Sequence, residues 1–134
     1  MKTAVIYWSA TGNTEALAMA AAEGAGVTAQ TVSEFSDDVS SYDALVLGCP
    51  AMGAEVLEED EFEPFFTGIE GSLSGKKVLL FGSYGWGDGE WMRNWQERAA
   101  AAGAELVGGE GFIVNEAPSD DELAKIRALA QTLA

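Results

Sequence analysis

The chain contains no histidine and a single cysteine, Cys49. One cysteine cannot form an intrachain disulfide, and without histidine an all-protein zinc site lacks its usual ligands. Basic residues are also scarce: seven Lys and Arg stand against 22 Asp and Glu, for a formal net charge of −15. That balance excludes nucleic acid as a partner, because binding a phosphate backbone needs clustered Lys and Arg, and it argues against docking on anionic lipid. No apolar run approaches the ~20 residues of a membrane span. The N-terminal apolar run behind Lys2 is too short for a signal peptide, so a soluble, cytoplasmic chain is expected. The acidity has two readings: solubility or a salt-adapted host on one side, an acidic face that steers basic protein partners on the other.

At 134 residues the chain suits one domain spanning 1–134, with no repeats, linkers or low-complexity segments. Short apolar runs rich in Val, Leu, Ile and Phe predict strands over Thr3–Trp8, Val27–Val32, Ala44–Cys49 and Val78–Ser83. A last strand is interrupted by glycines, Glu105–Val107 and then Phe112–Val114. Helical spacing fills the gaps. The first helix begins near Thr14 and stops at Gly24, and another opens at Pro64 with Phe62, Phe65, Phe66, Ile69 and Leu73 on one face. A third puts Trp91, Trp95 and Ala99 four apart and ends at Gly103. The last starts with a capping box, Ser119 to Glu122. Residues 33–43 leave room for at most a short helix. Alternating strands and helices predict a parallel sheet wound on both faces, with ligands bound at the carboxyl ends of the strands.

Three loops at those ends carry unusual residues. The first, Ser9-Ala10-Thr11-Gly12-Asn13-Thr14, joins a buried strand to a helix and suits a phosphate, held by N–H groups and the helix dipole without a cation. It lacks the lysine of a nucleoside-triphosphate loop and the three glycines of a dinucleotide fingerprint, so a single terminal phosphate is the ligand it favours. A plain capped helix is the other reading. The second loop, Gly48-Cys49-Pro50-Ala51-Met52-Gly53-Ala54-Glu55, and the third, Gly82-Ser83-Tyr84-Gly85-Trp86-Gly87-Asp88-Gly89, place Met52 and Trp86 where loops are usually small and polar. Either something flat lies between them or both fold back onto the core. Cys49 lacks the arginine six residues on that a phosphate-cleaving thiol needs, since position 55 is Glu, and reads as a buried strand-end thiol. The acidic run Glu58-Glu59-Asp60-Glu61 reads as a solvated face favouring the next helix start, or as a docking patch.

These three loops, with Glu61-Phe62-Glu63-Pro64-Phe65 and Ile113-Val114-Asn115-Glu116, resemble the short-chain flavodoxins along the whole chain. The resemblance implies an α/β, flavodoxin-like, doubly wound five-stranded parallel sheet of order 2-1-3-4-5 with helices on both faces. It implies non-covalently bound FMN and a low-potential one-electron carrier cycling mainly between semiquinone and hydroquinone. By that resemblance Ser9, Thr11, Gly12, Asn13, Thr14 and Ser83 enclose the phosphate. Met52 covers the inner flavin face, Trp86 the outer, the Gly53 carbonyl turns toward N5, and Glu55 accepts from N3–H. Backbone around Tyr84, Gly85 and Gly87 lines the pyrimidine edge, and Ala10, Ala51 and Ala54 complete the cofactor-binding set. Ala10 and Ala54 depart from the family pattern, and Ala10 is strained if its backbone requires φ > 0. No catalytic or metal-binding residue is expected. Partners are redox proteins with basic docking surfaces, and the chain is expected to be a monomer. The rivals are a quinone or metal reductase on the same fold and a non-redox binder of another phosphate ester.

Overall fold

A computed structural model describes residues 1–134. The parallel strands β1 (Thr3–Tyr7), β2 (Ala29–Thr31), β3 (Ala44–Gly48) and β4 (Lys77–Tyr84) lie in the order β2-β1-β3-β4. The expected fifth strand is two pieces that both pair with β4. β5 (Glu105–Leu106) lies beside its beginning and β6 (Phe112–Asn115) beside its end, from Phe81↔Phe112 to Tyr84↔Asn115. Gly108 and Gly109, both at φ +82, turn the chain out of the sheet between them.

Side-chain alternation sorts the core. Val5, Tyr7, Ala44, Val46, Leu79 and Phe81 face one way, onto α1 (Asn13–Ala25) and α4 (Asp120–Gln131). Ala4, Ile6, Leu45, Leu47, Val78 and Leu80 face the other way, onto α2 (Phe62–Ile69) and α3 (Glu90–Ala101). Strands buried on both faces explain why their sequences are continuously apolar. Trp95 anchors the second layer, edge-on to Phe62 and Phe66 at centroid distances of 5.3 and 5.9 Å.

Three boundaries differ from those the sequence suggested. Helix α1 runs through Gly24 and ends at Gly26, which has φ +74. Gly24 is a contact glycine: a Cβ there would lie 2.1 Å from the Arg127 carbonyl oxygen of α4. Strand β2 is only three residues long, because only Ala29–Thr31 finds a partner at the sheet edge. Helix α2 starts at Phe62, two residues before Pro64, because Glu58 caps it: its carboxylate accepts from the N–H groups of Asp60, Glu61 and Phe62 at 2.8 Å each. The acidic run is therefore not uniformly solvated, as Glu58 is buried while Glu59, Asp60 and Glu61 are exposed. Residues 33–43 hold only a 3₁₀ turn, Val39–Ser41. No helix is long and apolar enough to cross a membrane.

Candidate functional site

All strands run the same way, so the loops after β1, β3, β4 and β6 meet at one end of the sheet with the N-termini of α1, α3 and α4. There they surround a cavity of about 490 Å³ lined by Ser9, Ala10, Thr11, Asn13, Thr14, Pro50, Ala51, Met52, Ser83, Tyr84, Gly85, Glu116 and Ala117.

The 9–14 loop turns on Gly12, at φ +98, the residue before α1. The Ser9 hydroxyl accepts from the N–H groups of Gly12 and Glu15, 3.2 Å each, which stitches the loop to the helix start. The amides of Ala10, Thr11, Asn13 and Thr14 find no acceptor in the chain. The Thr14 and Ser83 hydroxyls, both buried, share a hydrogen bond of 3.0 Å, which ties the first loop to the end of β4. Four free amides at a helix N-terminus, with hydroxyls beside them and no Lys or Arg in the lining, form a donor set for an oxyanion that carries its own charge. Ala10 is not among the residues with positive φ, so the alanine is accommodated without strain.

The second loop folds on itself. Met52 and Val56 exchange backbone hydrogen bonds of 2.9 and 3.0 Å, closing a tight turn over Gly53 (φ +49), Ala54 and Glu55 (φ +56). A Cβ on Gly53 would meet nothing within 4 Å, so the glycine serves the backbone angle and not a close contact. Met52 is half-buried against the cavity. In the third loop Trp86 is 67% exposed and lies off the cavity wall, so it does not fold back onto the core.

The close approach of β3 and β4 below these loops depends on two further glycines. A Cβ on Gly48 would lie 2.2 Å from the Phe81 ring, and one on Gly82 would lie 2.2 Å from the Cys49 carbonyl oxygen. That carbonyl also accepts from Trp91 Nε1 at 3.1 Å. Burial pushes the Cys49 thiol far above its ordinary pKa, and the acidic neighbours Glu58 and Glu63 add to the shift, so it stays a protonated core group.

Of the expected binding residues, Ser9, Ala10, Thr11, Asn13, Thr14, Ala51, Met52, Ser83, Tyr84 and Gly85 line one cavity. Gly12, Gly53, Ala54, Glu55, Trp86 and Gly87 do not. Gly12, Gly53 and Gly87 shape their loops through positive φ. The Glu55 carboxylate is turned to the Gly89 N–H, 3.1 Å away. Pro50, Glu116 and Ala117 also line the cavity, beyond the residues expected from the sequence. Glu116 stands at φ +56 just past β6, its N–H donating to the Tyr84 carbonyl at 2.7 Å. Its signal in the sequence is its place after the last strand, which the sheet order carries to the same end.

Acidic side chains crowd this end. Burial pushes the Glu58 carboxyl up, but the three N–H donors of Phe62, Glu61 and Asp60 outweigh it and hold the group below the usual range. Arg98, bonded to both oxygens of Glu63 at 2.7 and 2.9 Å, lowers the Glu63 carboxyl.

The chain is similar to known proteins over most of its length. The flavodoxin family profile matches residues 5–128. The chain is 51% identical over 123 residues to the flavodoxin of Megasphaera elsdenii, covering 87% of this chain and 88% of that protein. It is 48% identical over 118 residues to the flavodoxin of Clostridium beijerinckii, covering 84% and 86%. The solution structure of the two-electron reduced Megasphaera elsdenii flavodoxin superposes with a TM-score of 0.83 at 44% identity, covering 97% of this chain and 98% of that one.

Proposed function

The chain belongs to the flavodoxin family, and from that premise we propose how the cavity at the carboxyl ends of the strands holds and tunes its cofactor. The protein is a one-electron carrier that works with FMN and is not an enzyme. FMN, when bound, supplies the chemistry by taking up electrons one at a time.

The observation that carries the reading is the set of four unpartnered amides, Ala10, Thr11, Asn13 and Thr14, at the start of α1. They hold the phosphate, with Thr14 and Ser83 beside them and Ser9 keeping the loop in shape. Met52 packs on the inner flavin face. Trp86, exposed in this structure, provides the outer cover. The Gly53 carbonyl would serve N5, and Glu55, whose Oε2 has no partner in the chain, would accept from N3–H. Residues 1–134 act as one FMN-binding unit.

The protein also sets the electrostatics. A carboxylate 10–15 Å from a developing anion disfavours it by on the order of 0.3–1.7 kcal/mol for effective dielectrics of 80 to 20. Several such groups lower a one-electron potential by on the order of a hundred millivolts, given roughly 59 mV per tenfold. The acidic end therefore makes the carrier a low-potential donor and offers basic redox partners a complementary surface. The molecule acts as a monomer in the cytoplasm.

Apoprotein fluorescence titrations with FMN and riboflavin test the phosphate site. FMN should bind far more tightly, because without phosphate the loop donors stay unpaired. Thr14→Ala should weaken FMN by about 1–2 kcal/mol and leave riboflavin unchanged. Equal affinity for the two flavins would overturn the assignment.

A further inference from the structure

The Met52–Val56 turn and the Gly85–Gly89 loop lie some thirty residues apart, and one side chain joins them. Glu55 is only 8% exposed, unusual for a glutamate, and its backbone is left-handed. Its Oε1 accepts from the Gly89 N–H at 3.1 Å. Gly89 sits at the N-terminus of α3 with φ +94 and has no side chain to cap the helix, so the cap is supplied from the other loop. Gly87 closes over the carboxylate: a Cβ there would lie 2.4 Å from Glu55 Cδ.

We propose that Glu55 is a positioning residue that ties the Met52–Val56 turn to the Gly85–Gly89 loop, so that the two walls of the cavity order as one unit. Met52 belongs to one wall, and Tyr84 and Gly85 to the other. A group held against either wall is then coupled through Glu55 to the other. The inference deepens the FMN reading in what the walls enclose, but the tie itself belongs to the chain alone.

Amide hydrogen exchange by NMR on the full-length apoprotein tests it without flavin. In Glu55→Ala the Gly89 amide should exchange at least about tenfold faster, with Met52 and Val56 accelerating alongside it. Phe81, central in the sheet, reports whether the fold is intact. Glu55→Gln keeps an oxygen at the same reach and should bring Gly89 back to within about threefold of the parent. The tie is refuted by an unmoved Gly89 amide in Glu55→Ala, by a Gln variant that fails to rescue, or by turn amides that do not move with Gly89. A parent protein that shows the coupled protection but does not bind FMN would overturn the FMN reading and leave the tie standing.

Discussion

The two ends of the sheet are built from the same strands but differ in how their polar groups are used. At the amino end, loops and termini satisfy one another. The Lys2 N–H donates to Asp43 at 2.7 Å, Lys76 Nζ donates to the Tyr42 carbonyl at 2.7 Å, and Asp38 accepts from the Ser40 N–H at 2.9 Å. At the carboxyl end, four amides of the 9–14 loop stay unpaired and the loops stand apart around a cavity. Charge differs as well, for the amino end mixes both signs, with Asp38, Asp43 and Glu105 among its lysines. Lys2, Lys76 and Lys77 sit at the amino end, whereas Glu58–Glu61, Asp88, Glu90, Glu116 and Asp120–Glu122 lie at the other with the helix N-termini. Each of the three arginines is ion-paired, Arg93 with Asp88, Arg98 with Glu63 and Glu70, and Arg127 with Glu23. Net charge alone does not locate a site. Unsatisfied donors gathered at one end of the sheet do.

The most direct way to break this contrast is to remove the close approach beneath the cavity. Gly82→Ala puts a Cβ 2.2 Å from a backbone oxygen that cannot swing away. It should destabilise by about 2–3 kcal/mol or more, measured by urea unfolding. A parent-like midpoint would show that β3 and β4 separate easily at this end.

The cap on α2 is a smaller target and gives a pH signature. Glu58→Ala should lose about 1–2 kcal/mol at pH 7. The parent Glu58 carboxyl is held low in the folded state, so its contribution is full above the unfolded carboxylate range near ~4.3. It disappears as pH falls through the lower folded value. The gap between parent and variant should therefore narrow in acid. A gap independent of pH would mean the carboxylate charge contributes nothing.

Gly53→Thr probes the Met52–Val56 turn. With φ at +49, a β-branched residue costs about 1–2 kcal/mol there, while its Cβ meets nothing within 4 Å. Flavin should still bind, with the first one-electron potential lowered by some tens of millivolts, read by anaerobic dithionite titration. An unchanged potential would remove the Gly53 carbonyl from the tuning.

The smallest effect concerns the charges themselves. Neutralising exposed Glu59 and Asp60 should slow electron transfer with a basic redox partner a few-fold at low ionic strength, with the difference vanishing at high salt. Lys77→Gln at the opposite end should leave the rate nearly unchanged. Equal sensitivity at both ends would mean that total charge, and not its placement, governs the encounter.

Much of this was legible in the chain. Apolar runs marked the strands, the Ser119–Glu122 spacing marked a capping box that is present, and the glycines after Glu105–Leu106 marked the split of the last strand. These features depend on neighbours in sequence, where periodicity and capping act. Features that depend on distant chain segments were not legible. Gly24 resembled a helix stop until α4 packed across it, Glu58 resembled solvated surface until α2 started against it, and Glu116 entered the cavity only because β6 pairs with the end of β4. The alternation of elements, the acidity and the residue types of the three loops follow from the order of residues in the chain. The tertiary structure alone decided which loop groups remain unpaired, because a donor's partner is chosen in space, and it turned Glu55 to Gly89.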